Sequence, residues 1–162
     1  MAYVIGLMSG TSLDGVDAAL VDISEGQTKL IHFETYPLTD DTRQRILDCC
    51  SPERSNIVLA CSLNVELGRL FADAAMAVCR GAGIPLAQVL CIASHGQTVY
   101  HIPQDEGGWL ASTLQLGEPA VIAYETGVQV VSGFRAMDMA AGGRGAPLVP
   151  YTEYLLYRSE MD

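Results

Sequence analysis

The stretch Tyr3-Val-Ile-Gly-Leu-Met-Ser-Gly-Thr-Ser-Leu-Asp-Gly-Val-Asp-Ala-Ala-Leu-Val-Asp-Ile23 decides how the rest of the chain is read. Tyr3 to Met8 is a short apolar run that stops at Ser9-Gly10-Thr11-Ser12, the pattern of a buried strand entering a turn. Leu13-Asp14-Gly15 continues the turn, and Asp17 to Ile23 returns as a second strand. Ser24 to Gln27 makes a second turn, and Lys29 to Tyr36 a third strand that Pro37 closes. The chain is therefore expected to open as a three-stranded antiparallel meander, with a turn rich in glycine and hydroxyls at its first corner.

Working outward, Thr39-Asp40-Asp41 supplies caps for a short helix through Cys50, with Ile46 and Leu47 facing inward. Ser55-Asn56 caps a longer helix through about Gly81. Leu59, Leu63, Leu67, Leu70, Ala74 and Val78 recur there at the spacing of one helical face. Val89 to Ser94 is wholly apolar up to its last residue, as in a parallel strand buried on both faces. His95-Gly96-Gln97-Thr98 is expected to break that strand, and Val99 to Ile102 to form one arm of a hairpin. Asp105 to Gly108 turns the chain, and Thr113 to Leu116 returns it. Glu118-Pro119 starts a short helix ending near Gly127, Val128 to Val131 is a short strand, and the chain after Phe134 reads as loop followed by the apolar segment Leu148 to Tyr157. The order predicts one mixed α/β domain. The stop at Glu160-Met161-Asp162, with no element for the apolar approach to feed, suggests part of something longer.

Composition narrows the function. The chain has 162 residues, 49% of them hydrophobic and 17% charged, enough to bury a core and too apolar for a disordered chain. Nine basic residues against 19 acidic ones give a formal charge of −10, which repels nucleic-acid backbones and anionic membrane surfaces. Neither kind of partner is expected. The five cysteines, Cys49, Cys50, Cys61, Cys79 and Cys91, contain no Cys-x-x-Cys pair and read as reduced, small apolar residues. With no cationic leader and no apolar run of spanning length, the reading is a cytoplasmic protein.

Three segments can carry chemistry. Gly10-Thr-Ser-Leu-Asp-Gly-Val-Asp17 offers glycines that let backbone N–H groups approach an anion, hydroxyl donors, and Asp14 or Asp17 to orient Mg²⁺ through its waters. A plain hairpin with Asp-Gly as its turn pair explains the same residues. It is not a Walker A loop, because the only lysine, Lys29, lies in a strand. Ser94-His95-Gly96-Gln97-Thr98 leaves the carboxyl end of a parallel strand, where α/β sheets bind ligands, and its hydroxyls, imidazole and carboxamide suit a sugar. A capped turn is the alternative. In the third, Arg135-Ala-Met-Asp138 precedes Gly142-Gly-Arg-Gly-Ala-Pro147. Asp138 can serve as a general base or metal ligand there and Arg144 can neutralise phosphate, or Asp138 can simply cap a turn and pair with Arg135. Cys91 near His95 is not a convincing nucleophile pair, since Cys91 sits in an apolar run and is expected to face the core. No Gly-x-Ser-x-Gly elbow or zinc spacing is present.

Together Gly6 to Asp17, Ser94 to Thr98, Thr113-Leu-Gln-Leu-Gly-Glu-Pro119 and Asp138 through Gly142-Gly-Arg-Gly-Ala-Pro-Leu-Val-Pro150 resemble the anhydro-N-acetylmuramic acid kinases, in order and along nearly the whole chain. The resemblance implies an actin-like ATPase fold, with residues 1–162 as an N-terminal, ribonuclease-H-like half built on a mixed sheet and the family's C-terminal half absent. It implies ATP with Mg²⁺, and a reaction in which water opens the anhydro bridge of an amino sugar while the released oxygen is phosphorylated. On the same resemblance Asp138 is the general base. Gly10, Thr11, Ser12, Leu13, Asp14, Gly15, Val16 and Asp17 form the ATP phosphate loop, with Asp14 and Asp17 on the magnesium side. His95, Gln97, Thr98, Gln115 and Arg135 contact the sugar, Arg135 through its lactyl carboxylate. The competing expectations are a non-catalytic sugar-binding module and a half-domain that forms homodimers through an exposed apolar face.

Overall fold

The computed structural model describes residues 2–24 and 27–159. The middle of the expected second turn, residues 25 and 26, and the terminal Glu160-Met161-Asp162 lie outside the described residues. The elements are β1 Tyr3–Ser9, β2 Gly15–Ser24, β3 Gln27–Pro37, α1 Asp40–Cys50, α2 Ile57–Ala82, a 3₁₀ turn at Leu86–Gln88, β4 Val89–Ile102, β5 Ser112–Leu116, α3 Pro119–Thr126, β6 Val130–Val131, α4 Phe134–Ala140 and α5 Val149–Tyr157.

The sheet runs β3-β2-β1-β4-β5, with β6 paired to β4. β1 to β3 form the expected antiparallel meander, Ile5 opposite Leu20 and Leu20 opposite His32. β4 lies parallel to β1, Ile5 opposite Ile92, because α1 and α2 carry the chain back across the sheet before it re-enters. The sheet is therefore mixed, antiparallel from β3 to β1 and parallel from β1 to β4.

α2 supplies the other layer. Asn56 accepts from the Leu59 N–H at 2.9 Å to start it, and Gly83 ends it in the left-handed conformation. Its face of Leu63, Leu67, Phe71, Ala74, Ala75 and Val78 is buried in one core with Ile5, Leu7, Val16, Leu20 and Ile92. Each large aliphatic side chain so placed contributes about 1.5–3 kcal/mol relative to exposure. Leu59 and Leu70, expected on the same face, are partly buried at the margin of this core. Asn64 ties α3 to α2: its Oδ1 accepts from the Gly117 N–H at 2.9 Å and its Nδ2 donates to Glu118 at 2.9 Å.

The chain forms two compact units, one running to Tyr100 and resuming at Gln115–Ser132, the other made of His101–Leu114 and the chain from Gly133 on. The sheet-and-helix core belongs to the first. In the second, Glu106 and Trp109 bridge the expected Gly107-Gly108 turn, and α5 exposes Tyr151, Tyr154, Leu155 and Tyr157. No helix among the described residues is long and apolar enough to cross a membrane.

Five expectations are corrected. Of the two α1 residues expected to face inward, Ile46 is buried but Leu47 is 43% exposed, because adjacent helical positions point about 100° apart. His95 to Thr98 does not break the strand: β4 runs unbroken from Val89 to Ile102, because Gly96, at φ 74°, absorbs an extra residue between the pairs Leu7–Ser94 and Ser9–Gln97. Nor is β4 buried on both faces, since Leu90 is 65% exposed and Cys91 only half-buried. The expected strand at Val128 to Val131 shrinks to the two residues of β6. The expected glycine loop is present over residues 141–148, but α4 precedes it and α5 follows it, so Asp138 sits on a helix rather than in loop.

Candidate functional site

The first site element is the corner between β1 and β2. Leu13 takes φ 55° there, a left-handed conformation that costs a residue with a Cβ about 1–2 kcal/mol. Two anchors hold it. Its side chain is buried in the core, and its carbonyl accepts from Arg43 Nε of α1 at 2.8 Å. A left-handed residue inside a turn is how consecutive backbone N–H groups converge on an anion. Val16 is fully buried, so it and Leu13 offer a ligand only their backbone. Gly15 is required by packing, since a Cβ would collide with Thr35 and the Tyr36 carbonyl of β3. Gly10 has no such constraint: its Cβ direction is open, with Ser12 Oγ 3.8 Å away as the nearest atom.

Thr11, Ser12, Asp14 and Asp17 are exposed along this corner. Ser12 Oγ donates to Asp14 Oδ1 at 2.7 Å, and this bond first, with the Arg43 charge as a smaller contribution, lowers the Asp14 pKa below 3.8. Asp17 lies on β2, where Thr35 Oγ1 donates to its Oδ1 at 2.7 Å. Among the described residues, no three His, Cys, Asp or Glu side chains gather as a metal cage. Two separate carboxylates suit an ion that keeps most of its waters.

Behind the corner lies a chain of polar contacts within the same unit. Ser9 Oγ, at the end of β1, donates to Gln97 Oε1 at 2.6 Å and sits 3.2 Å from the Gly15 carbonyl. Gln97 Nε2 donates to the Thr98 carbonyl at 3.1 Å, and Gln115 Nε2 donates to Thr98 Oγ1 at 3.2 Å. Ser9 and Gln97 are each 2% exposed. His95, Thr98 and Gln115 are half-buried, the His95 ring holding the Gly96 carbonyl at 2.9 Å through Nδ1. The structure thus brings Gln97, Thr98 and Gln115 together, with Gln97 spent internally and the other two nearer the surface.

In the second unit Asp138 and Arg135 grip one residue, Gly145, from its two sides. Gly145 N–H donates to Asp138 Oδ2 at 2.7 Å, and the Gly145 carbonyl accepts from Arg135 Nη1 at 2.7 Å. Asp138 therefore orders the glycine loop rather than merely preceding it. Gly143 presses on the same carboxylate so closely that a Cβ would collide with it. Arg144 stays exposed. Sequence reasoning missed Ser9 and Arg43, whose roles depend on partners 88 and 30 residues away, and no local pattern marks either.

The family model described as anhydro-N-acetylmuramic acid kinase matches residues 2–162. The chain belongs to the anhydro-N-acetylmuramic acid kinase family. It is 56% identical over 162 residues to the anhydro-N-acetylmuramic acid kinase of Bacillus cereus (strain B4264), covering 98% of this chain and 42% of that relative. The counterpart in Bacillus thuringiensis subsp. konkukian (strain 97-27) is 56% identical over 160 residues, covering 96% and 42%. The chain spans about two fifths of the length of these curated relatives. Among solved structures, YeaZ from Pseudomonas aeruginosa aligns with 90% of this chain and 51% of its own at 16% identity, with a TM-score of 0.29, too loose a likeness to bear on function.

Proposed function

We propose that this chain is the N-terminal part of a cytoplasmic, ATP-dependent kinase that opens the ring of 1,6-anhydro-N-acetylmuramic acid and yields N-acetylmuramic acid 6-phosphate, a step of cell-wall recycling. The observation that carries the reading is the family match along residues 2–162. The geometry supports it at two places.

The first is the Gly10–Asp17 corner, read as the phosphate loop. Gly10 leaves the backbone open on one side, Leu13 turns the peptide chain through the left-handed region, and Thr11 and Ser12 add exposed hydroxyls. Asp14 and Asp17 would hold the water shell of Mg²⁺. When bound, Mg-ATP supplies the phosphoryl group that takes up the oxygen released from the sugar. Phosphoryl transfer depends mainly on positioning and charge neutralisation, and an anchored loop provides the former.

The second is Asp138, read as the general base. Water must lose a proton as its oxygen bonds to the anomeric carbon and the bridge carbon–oxygen bond breaks. Asp138 takes that proton, as the base does in an inverting glycosidase. Gly145 fixes Oδ2 and so aims the carboxylate, leaving Oδ1 for the proton. For the sugar we assign hydroxyl and acetamido contacts to His95, Thr98 and Gln115, with Gln97 backing Thr98, and the lactyl carboxylate to Arg135.

The test is calorimetric titration of 1,6-anhydro-N-acetylmuramic acid, with and without Mg-ATP, into a protein that carries these residues at its relatives' full length. Saturable binding followed by turnover when both ligands are present is expected. Absence of binding and turnover in a folded protein would overturn the assignment.

A further inference from the structure

The polar contacts behind the β1–β2 corner form a latch. Ser9 immediately precedes the Gly10–Asp14 turn and Gly15 immediately follows it. The single Ser9 hydroxyl lies against both the Gly15 carbonyl, at 3.2 Å, and Gln97 Oε1, at 2.6 Å. Its one proton goes to the nearer acceptor, Gln97 Oε1, which fastens the start of the turn to β4, while the Gly15 carbonyl at the other end lies against the same oxygen. A serine and a carboxamide 2% exposed at the polar edge of an apolar core are costly unless paired, and here each is the other's partner, so removing either leaves a buried polar group unmet. The bulge at Gly96 supplies the placement, because it brings Gln97 rather than Gly96 opposite Ser9. Glycine is needed at that bulge: the residue is left-handed, and a Cβ would lie 2.8 Å from the Leu116 carbonyl.

We propose that Ser9 and Gln97 are positioning residues that hold the Gly10–Asp14 turn in its phosphate-binding shape before any ligand arrives. The role of the turn rests on the kinase reading above; the latch itself does not. Preorganisation removes the ordering cost that a mobile loop would charge against binding. Leu13 and Arg43 fix the middle of the turn, and the latch fixes its start.

The experiment is ¹⁵N relaxation of the unliganded chain, comparing the unsubstituted protein with Ser9→Ala and with the near-isosteric Gln97→Met. Backbone order parameters at residues 10–14 are expected near about 0.85 in the unsubstituted chain and below about 0.6 in either variant. Residues 63–78 of α2 should stay rigid in all three. A turn that is equally ordered in both variants, or mobile already without substitution, would overturn the latch. Loosening of α2 together with the turn would overturn it too, by showing a general contribution to the fold. Because no nucleotide is present, failure here counts against the latch alone, whereas failure of the full-length titration counts against the kinase reading.

Discussion

Gly145 donates its backbone N–H to Asp138 Oδ2 at 2.7 Å across a separation of seven residues. The bond closes the glycine segment back onto the helix that carries the carboxylate. It leaves Asp138 with one oxygen committed to structure and one available for chemistry, and it makes an isosteric amide a clean probe.

Asp138→Asn keeps an oxygen to accept from Gly145, so the loop should survive while the base is lost. Turnover of the anhydro sugar in the full-length enzyme is expected to fall about 10²–10⁴-fold, with the fold intact by circular dichroism. Turnover within a few-fold of normal would remove Asp138 from the role.

Gly143→Ala tests the same carboxylate sterically. The new methyl collides with Asp138, and Gly143 has no left-handed φ that would add backbone strain. Displacing a reacting group by about 1 Å costs on the order of 10²-fold, so turnover should fall by that factor while the melting temperature changes little. A steady-state assay beside a thermal melt separates the two effects.

Leu13→Gly sets strain against burial. Glycine relieves about 1–2 kcal/mol of left-handed cost, but deleting a buried leucine side chain costs about 2–5 kcal/mol. The cavity wins, and denaturant unfolding should show a net loss of about 2 kcal/mol, the middle of the roughly 0–4 kcal/mol that the two terms span. A stabilised variant would mean that the left-handed conformation, not the buried side chain, dominates at this corner.

Ser12→Ala removes the main cause of the lowered Asp14 pKa, which should then move back up toward 3.8. A depressed carboxylate favours the folded state above its unfolded pKa, and that preference fades as pH falls through the folded value. Asp14 is fully exposed, so the shift is read by carbon NMR titration of the carboxyl rather than from stability. A carboxyl titrating identically with and without Ser12 would discount the bond. In the neutral range the carboxylate stays ionised in both proteins, so any magnesium contact through Asp14 should be independent of pH there.

Much of the fold could be read from local pattern. The Asn56 cap and the Glu118-Pro119 start are each written within one helical turn, the Leu63–Leu67–Val78 stripe repeats at three- and four-residue steps, and each element appears where its residues put it. α4 and β4 depart from the local pattern for a common reason. Glycines near Asp138 and at Gly96 suggested breaks, yet the first group follows a short helix and the second sits inside a strand as a bulge. In the candidate site, the residue types of the Gly10–Asp17 corner were plain. What holds that corner was not, because Arg43 and Gln97 reach it from α1 and β4 through contacts that only folding creates.

β4 departs from simple pairing with β1 at two points, between Tyr3 and Val4 and again between Leu7 and Ser9. Each departure shifts the phase of the pleat by one residue. Val89 faces inward at an odd position, Ile92 and Ser94 at even ones, and Gln97 and Val99 at odd ones again. The two shifts cancel, so the strand leaves the core in the phase in which it entered. Straightening the strand at Gly96 with its length unchanged would undo only the second shift, turning the Thr98 side chain inward and Gln97 out to solvent. The strand would still be a strand, with its polar end inside out.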